Sequence, residues 1–301
     1  MIIYHKNQEI DREQWDSCIR NSSCLKPYPY SWYLDIMSPG WEALVDDDYD
    51  SVFPLPVSGK FGIQYIATPV FLQQLGAFSP DKPPDKAIYE FLHYMPDFYK
   101  LIDINIAQKI GQEGFRITER ANYELDLSKP YETLWENYSS KCKRNIELSR
   151  KNEPELIYDI SPDELIDLFI LNKGRDVKGI KPRDYQRLRN LMNFCLMNKK
   201  GSIIGVRDLH KKPVYGIFIV ETKGYKTLLF TVHTEQSRER RIGYYTLNEV
   251  VKAGSSTKTT IDFAGSSIPE VAKFIESFGA VRFPYYRIYR NRLLWPARML
   301  K

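Results

Sequence analysis

The sequence has no apolar run that approaches the roughly 18 residues a membrane-spanning helix needs. Its first nine residues also lack the apolar stretch of a secretory signal peptide. We therefore expect a cytoplasmic protein without a membrane span. Hydrophobic residues make up 43% of the 301 residues, which is enough for the core of one large domain or of two ordinary ones.

Cysteine and histidine are both scarce, with four of each in the chain. No two cysteines have Cys-x-x-Cys spacing and the histidines show no metal-ligand spacing, so neither a zinc site nor a disulfide framework is predicted. We expect no bound metal. A cysteine–histidine nucleophile stays open, although no local motif supports it. The residues concerned are Cys18, Cys24, Cys142, Cys195, His5, His93, His210 and His233.

Charge is distributed unevenly along the chain. Residues 1–125 carry 11 Lys and Arg against 18 Asp and Glu, whereas residues 126–301 carry 32 against 20. A basic half of this kind usually meets an anion, such as nucleic acid, a nucleotide cofactor or a membrane surface. The alternative is a solvated basic face that balances an acidic neighbouring domain.

The C-terminal half contains a series of predicted strands followed by a basic helix start. Residues 201–206, 214–221 and 225–233 are rich in β-branched and aromatic residues and predict three successive strands. Residues 240–245 then open a helix that we expect to run to about Ala253. Arginine suits phosphate because its planar fork of donors is always charged. A basic exposed turn without a ligand is the alternative interpretation.

A strand, a glycine turn and a capped helix are predicted within residues 259–280. Gly265 lets the chain turn sharply, and Ser267 and Glu270 have capping-box spacing ahead of an apolar helical face. Asp262 lies near the carboxyl end of the strand, where the sites of α/β units are usually built. The alternative is a purely structural unit in which Asp262 is a turn carboxylate.

This stretch resembles the C-terminal part of Fem-type acyltransferases, which belong to the GNAT superfamily of N-acyltransferases. The resemblance lies in Asp-Phe-x-Gly-Ser at 262–266, Phe-x-x-x-Phe-Gly-Ala at 274–280 and Pro-Tyr-Tyr at 284–286. The order of strands, turn and helices upstream is also similar to a GNAT domain. The resemblance implies an α+β fold of tandem GNAT-like domains, each a mixed sheet flanked by helices. We expect domains at 1–125 and 126–301, with the donor site in the second.

The resemblance also implies where an acyl donor would bind. A GNAT domain holds the donor's pyrophosphate on N–H groups at a helix N-terminus, in the motif Arg/Gln-x-x-Gly-x-Gly/Ala. Arg240 and Gly243 match this motif, whereas Tyr245 stands where it has glycine or alanine. The residues expected to bind the donor are Arg238, Arg240, Arg241, Gly243 and Tyr244.

The reaction implied by the resemblance is transfer of an acyl group to an amine of a small molecule or peptide. The amine loses a proton as it attacks, so we expect Asp262 to act as base and Tyr286 as acid. The expected donor is acyl-CoA. The alternatives are an aminoacyl-tRNA donor, which the basic half favours, and a non-catalytic GNAT-like binding scaffold. The residues expected to contact substrates are Gln74, Lys141, Arg144 and Ser266.

Three of the residues expected to contact substrates, Gln74, Lys141 and Arg144, lie in two segments whose secondary structure the sequence also indicates. Residues 131–151 predict one long helix whose bases, including Lys141 and Arg144, gather toward its end. Residues 69–78 place Gln74 inside an apolar segment, near the acceptor cleft that the resemblance implies. The alternative is a strand in which Gln74 is bonded to the backbone.

Overall fold

The computed structural model describes residues 1–46, 48–111, 114–174, 179–265, 268–295 and 297–300. It divides into two compact units, Met1–Arg120 with Pro284–Lys301, and Ala121–Phe283. Both units contain helices and strands, so the predicted α+β class is confirmed. The domain boundary at residue 125 stays a prediction, because compactness alone does not define a domain; the last 18 residues belong to the first compact unit.

The first unit begins with nine helices and strands. They are β1 (Ile2–His5), α1 (Arg12–Asn21), α2 (Ser31–Met37), β2 (Glu42–Asp46), β3 (Ser51–Leu55), β4 (Val57–Lys60), β5 (Ile63–Ala67), α3 (Pro84–His93) and β6 (Leu101–Ile106). A short 3-10 helix, Asn7–Glu9, follows β1. Strand β2 pairs antiparallel with β1 and β3, and β5 pairs antiparallel with β4 and parallel with β6. The second of these sheets is therefore mixed.

Helix α1 shows how the sequence pattern sets local structure in the first unit. The carboxylate of Asp11 accepts the first free N–H groups of the helix, as an N-cap does. Trp15, Cys18 and Ile19 recur at helical spacing and are buried together, so they form the apolar face of the helix. The indole ring of Trp15 meets that of Trp41 edge to face, with centroids 4.7 Å apart.

Residues 69–78 do not form a strand, so the strand interpretation of this segment is wrong. Phe71 adopts a left-handed φ of 64°, which a continuous strand cannot accommodate, and Leu75 makes only an isolated bridge. Gln74 is buried, and its Nε2 donates to Oε1 of Gln73 at 2.8 Å. Its polar side chain is thus satisfied by a neighbouring amide rather than by the backbone.

The next twelve α-helices and β-strands of the described chain lie in the second unit, except that the first of them begins in the first unit. They are β7 (Arg116–Asp126), α4 (Tyr131–Glu136), α5 (Ser140–Arg150), α6 (Pro162–Phe169), α7 (Pro182–Met197), β8 (Gly201–Arg207), β9 (Pro213–Thr222), β10 (Tyr225–His233), α8 (Glu235–Glu239), α9 (Ile242–Gly254), β11 (Thr260–Asp262) and α10 (Pro269–Glu276). A short π-helix, Ile170–Gly174, follows α6. The strands of the second unit lie in the order β7-β11-β10-β9-β8, and only β10 and β11 are parallel neighbours. The three strands predicted from 201 to 233 are confirmed, as is a helix opening near residue 240.

The long helix predicted over 131–151 is wrong, because the chain breaks between α4 and α5. The side chain of Ser139 accepts the N–H of Cys142 and caps α5, while its backbone N–H donates to the carbonyl of Ser277 at 2.9 Å. These bonds replace the hydrogen bonds of a continuous helix. The apolar residues predicted to share one face are nevertheless all buried in the core: Leu134, Tyr138, Cys142 and Ile146.

The chain returns to the first unit along β12 (Val281–Asn291), which runs antiparallel to β6. Tyr286 lies opposite Ile106 in this pairing. Arg287 and Asp103 form a two-pronged ion pair across the same strands, with N–O distances of 2.6 and 2.8 Å. A bidentate pair of this kind fixes the register of the two strands as well as adding energy.

The described part of the chain contains neither a membrane-spanning helix nor a cluster of metal-binding side chains. None of its helices has both the length and the apolarity that crossing a bilayer requires. Within the same ranges, no three or more His, Cys, Asp or Glu side chains converge in a way that could hold a metal ion.

Glu164 connects the start of α6 to the sheet of the second unit. Its carboxylate accepts the N–H of Ser161 at 3.0 Å, and Ser161 in turn caps the N–H of Glu164. Arg207 on β8 donates to the same carboxylate at 2.8 Å. The hydrogen bond from Arg207, together with that from Ser161, lowers the pKa of Glu164 from 4.5 to about 2.

We predict that Glu164→Gln lowers the free energy of unfolding at pH 7 by about 1–2 kcal/mol, allowing for solvent screening of a carboxylate that is 38% exposed. Because the folded-state pKa is lowered, this stability is present above pH 4.5 and is lost as the pH falls toward 2. Urea unfolding at pH 7 and pH 3 should therefore show a smaller difference from wild type at pH 3. The exposed Glu155→Gln is the control; an equal loss there would contradict the prediction.

Candidate functional site

The second unit opens a gap between its two parallel strands. Strands β10 and β11 pair only where residues 225–227 face residues 260–262. Strand β11 then ends, whereas β10 continues beside β9 to His233. A register shift between Leu228 and Phe230 marks a bulge in β10, and bulges bend a strand locally. The carboxyl ends of the two strands therefore diverge.

A cavity of about 510 Å³ lies at this opening and is lined by residues of the second unit. Strand β10 contributes part of one wall, and the turn that follows β11 contributes another. Much of the lining is aromatic or aliphatic, which suits the apolar part of a ligand and excludes water. The main apolar residues are Phe169, Tyr215, Leu228, Phe263, Phe274 and Ile275.

The start of helix α9 meets this cavity and has no side-chain cap. Arg241 is its N-cap residue and adopts a left-handed backbone with φ of 57°. Gly243 and Tyr244, in the first turn, line the cavity together with Arg241. The first N–H groups of a helix lack intrahelical partners, and the helix dipole adds positive potential there. This end of the cavity therefore favours an anion.

Three arginines at the same turn have only neutral partners among the described residues. Arg238 donates to the carbonyl of His233 at 3.0 Å, and Arg241 donates through Nε to Oδ1 of Asn145 at 3.0 Å. Arg241 also donates to the carbonyl of Glu239. Arg240 donates to the carbonyl of Asn152 at 3.0 Å and does not line the cavity. The charges of Arg238 and Arg241 are thus available to an anionic ligand.

Gly243 is a glycine because an imidazole occupies the space beside it. A Cβ at this position would lie 2.6 Å from Cε1 of His233, too close for any side chain without a shift. The ring of His233 meets that of Tyr215 at 4.8 Å, and its Nδ1 lies 3.5 Å from Oγ of Ser237. His233 lines the cavity, and sequence reasoning did not single it out. The available signal was its place at the end of β10, directly before the helix cap Thr234.

Tyr244 connects the apolar and polar parts of the cavity. Its ring meets Phe274 edge to face at 4.7 Å and stacks on Phe278 at 5.9 Å. Burial raises the pKa of its hydroxyl, and a hydrogen bond with the side chain of Asn145 opposes that change. The hydroxyl therefore stays protonated at neutral pH. By contrast, Tyr245 does not line the cavity, so the tyrosine at the motif's glycine or alanine position does not fill it.

Three other predicted residues of the second unit are described by the structure and do not line the cavity: Asp262, Lys141 and Arg144. Asp262 is fully buried, and its carboxylate accepts the N–H of Ala264 at 2.9 Å, as a turn carboxylate does. Lys141 and Arg144 are exposed on α5. Ser266 and Ser267 lie outside the described residues. Ser267 was the predicted cap, whereas the N-cap residue of α10 is Ile268, which makes no side-chain cap bond. The functional roles expected for Asp262, Lys141, Arg144 and Ser266 stay predictions.

Two predicted site residues belong to the first unit. Tyr286 is buried on β12, and Gln74 is buried with its amide bonded to a neighbouring side chain. Their expected roles as catalytic acid and substrate-binding residue also stay predictions.

No family model and no curated protein matches this sequence. Solved structures do resemble it over nearly its whole length. FemX has a TM-score of 0.67 at 12% identity, covering 98% of this chain and 99% of its own. L-PGS from Bacillus licheniformis has a TM-score of 0.57 at 14% identity, covering 96% and 95%. A tandem GNAT protein from the clavulanic acid biosynthesis pathway has a TM-score of 0.55 at 11% identity, covering 96% and 98%.

These similarities show the fold. The chain has a GNAT-like fold of the Fem-related kind, as the resemblance in the sequence implied. The cavity between β10 and β11 is the candidate site, and the arginine-bearing start of α9 is the end of it that favours an anion.

We predict that Arg238→Ala combined with Arg241→Ala raises the Kd of inorganic pyrophosphate more than tenfold, because each charge-assisted bond is worth about 1.5–3 kcal/mol. Arg240→Ala is the matched control, since Arg240 lies at the same turn but not in the cavity lining. It should change the Kd less than twofold. Isothermal titration calorimetry at low salt measures both, and an equal effect of the two changes would place the anion elsewhere.

Proposed function

We propose that this protein is an N-acyltransferase that moves an acyl group from an acyl-CoA-type donor to an amine of a small molecule or peptide. One observation carries the proposal: a single cavity joins an apolar wall to an uncapped, arginine-bearing helix start. A donor of this class has the same two parts, an acyl arm and a phosphate-bearing end. The fold is compatible with it, because the similar structures include a tandem GNAT protein.

The residues fit each part of such a donor. Arg238 and Arg241 have no carboxylate partner in the described chain and would pair with phosphate oxygens, which arginine binds in a two-pronged way. The apolar wall would exclude water from the acyl arm and strengthen electrostatic interactions near it. The donor's carbonyl would then lie between diverging strands, where an amine can approach.

The chemistry requires one proton to leave the amine and one to reach the leaving group. In the proposed reaction the amine nitrogen forms a bond to the acyl carbon, and the bond from that carbon to sulfur breaks. His233 takes the amine proton, and the thiolate takes its proton from solvent, because Asn145 holds the hydroxyl of Tyr244 beside Arg241 at the phosphate end. Positioning the two reactants contributes the larger share of the rate. Asp262 and Tyr286 remain the alternative base and acid.

We expect CoA and acetyl-CoA to raise the melting temperature by several degrees, because a ligand at one hundred times its Kd adds about 2.7 kcal/mol of stability. Thermal-shift titrations to millimolar ligand should show this for wild type and not for the Arg238→Ala, Arg241→Ala variant. No shift with either ligand, or an equal shift in the variant, would contradict the proposal. If either ligand raises the melting temperature but no amine is acylated, the protein is better explained as a non-catalytic binding scaffold.

A second candidate donor is an aminoacyl ester such as aminoacyl-tRNA. Glu270 is the one carboxylate in the lining of the cavity, as far as the described residues show, and it can pair with the α-ammonium group of an aminoacyl donor. An acyl-CoA donor has no cation for it. With this donor, the exposed Lys141 and Arg144 on α5 would contact the tRNA backbone.

If the donor is aminoacyl, Glu270→Gln should raise the Kd of a stable 3′-aminoacyl-adenosine analogue about two- to fivefold, the effect of an exposed ion pair worth about 0.5–1 kcal/mol. The Kd of acetyl-CoA should not change. Glu132→Gln, an exposed change of the same charge on α4, is the control. Competitive binding assays decide between the donors. If the Glu270→Gln variant binds the analogue with the same Kd as the wild-type protein, the aminoacyl donor is excluded.

A further inference from the structure

Asn145 on helix α5 touches two residues of the cavity without lining it. Its Oδ1 accepts a hydrogen bond from Nε of Arg241 at 3.0 Å. Its side chain also hydrogen-bonds the hydroxyl of Tyr244. Arg241 and Tyr244 both line the cavity, and both belong to the start of α9. One side chain from a helix far away in sequence therefore contacts both the guanidinium and the phenol of the candidate donor site.

A carboxamide is suited to these two contacts at once. Its oxygen only accepts and its NH₂ group only donates, so it can hold a guanidinium N–H and a hydroxyl oxygen simultaneously. The oxygen is engaged by Arg241. Burial raises the pKa of Tyr244 and the contact with Asn145 lowers it, as expected where the NH₂ group donates to the hydroxyl. The proton of that hydroxyl is then free to point elsewhere. A carboxylate at this position has no N–H group to donate. It would instead accept a hydrogen bond from the hydroxyl of Tyr244, whose proton would then point toward residue 145.

A carboxamide also holds Arg241 without neutralising it. The other contact of Arg241 is to a carbonyl, so both of its partners are uncharged. A carboxylate at position 145 would pair with the guanidinium and compete with an anionic ligand. The backbone of Arg241 adds to the argument, because a left-handed φ of 57° costs energy for a non-glycine residue and persists only where the surroundings hold it.

We propose that Asn145 is a neutral positioning residue of the donor site: it orients the guanidinium of Arg241 and the hydroxyl of Tyr244 while leaving the arginine's charge available to the anionic end of the donor. This inference rests on the proposed function for its ligand. The contact between Asn145 and Arg241 can be tested without any ligand.

The charge test compares Asn145→Asp with Asn145→Ala. The aspartate is nearly isosteric and should pair with Arg241, so we expect the Kd of CoA and of inorganic pyrophosphate to rise at least tenfold with no loss of melting temperature. The alanine keeps the charge and loses the orientation, so its Kd should rise only about two- to fivefold. A purely structural Asn145 would give the reverse order, with the alanine less stable and the weaker binder, and that result would overturn the proposal.

The matched control is Asn152→Asp, which adds the same charge just beyond the end of α5. The backbone carbonyl there contacts Arg240, and the side chain bonds the carbonyl of Leu148. Its Kd should stay within twofold of wild type. A tenfold rise in this control would show that general charge, rather than contact with Arg241, weakens binding, and would also overturn the proposal.

The ligand-free test is the Nε–H resonance of Arg241 in a ¹⁵N-edited NMR spectrum, identified by its absence in Arg241→Lys. We expect this proton to be protected from exchange in wild type and in Asn145→Asp, and to be lost in Asn145→Ala. An unchanged resonance in the alanine variant would refute the positioning role. A wild-type protein that binds neither CoA nor pyrophosphate, yet shows the protected resonance, would refute the proposed function and limit Asn145 to holding Arg241.

Discussion

The candidate site depends on the early end of strand β11. Asp262 is its last residue, and the buried carboxylate accepts the N–H of Ala264. Ala264 and Gly265 then adopt left-handed φ values of 51° and 63°, which turn the chain out of the sheet. Left-handed backbone is costly for alanine, and the bond from Asp262 offsets part of that cost. If the chain had stayed extended after Asp262, it would have continued beside β10 and occupied the space where the cavity now lies. Asp262 thus shapes the site without lining it.

The charges at the start of α9 follow from how the arginines are bonded. Each of the three makes its described contacts to carbonyl or amide oxygens, which orient a guanidinium but do not neutralise it. Neighbouring positive charges repel one another and lower the stability of the free protein. An anion in the cavity would relieve this repulsion at Arg238 and Arg241. If an anion binds there, the arrangement trades stability for binding, as functional sites commonly do.

Those parts of the second unit that depend on local pattern could be predicted from the sequence. The strands from 201 to 233 show alternating or continuous apolar residues, and the start of α9 follows from a strand end and a basic turn. The break at Ser139 could not be predicted, because it depends on a bond to the carbonyl of Ser277, far away along the chain. The apolar spacing across the break continues regardless, and it therefore favoured one helix.

Gly243 shows a second limit of local reasoning. In the sequence it matches a phosphate-binding motif, and a glycine there suggests that a ligand approaches the backbone. In the structure its missing side chain makes room for the imidazole of His233 on a neighbouring strand. The role of Gly243 in a phosphate-binding motif stays a prediction, whereas the contact with His233 explains why no Cβ is tolerated. His233 was overlooked because a lone histidine has no metal-ligand spacing, and its one signal, a place at a strand end directly before a helix cap, is shared by many structural residues.

Tyr244 belongs both to the apolar wall of the cavity and to the hydrogen-bonded group that holds the positive charge of Arg241. Its ring lies against Phe274 and Phe278, so it belongs to the apolar wall, while its hydroxyl meets Asn145, which also holds Arg241. Movement of the ring would disturb the amide, and through it the guanidinium. Packing in the wall and placement of the positive charge are therefore mechanically linked through one side chain. Under the proposed function, a donor whose apolar arm fits the wall would meet a guanidinium that the same packing helps to place.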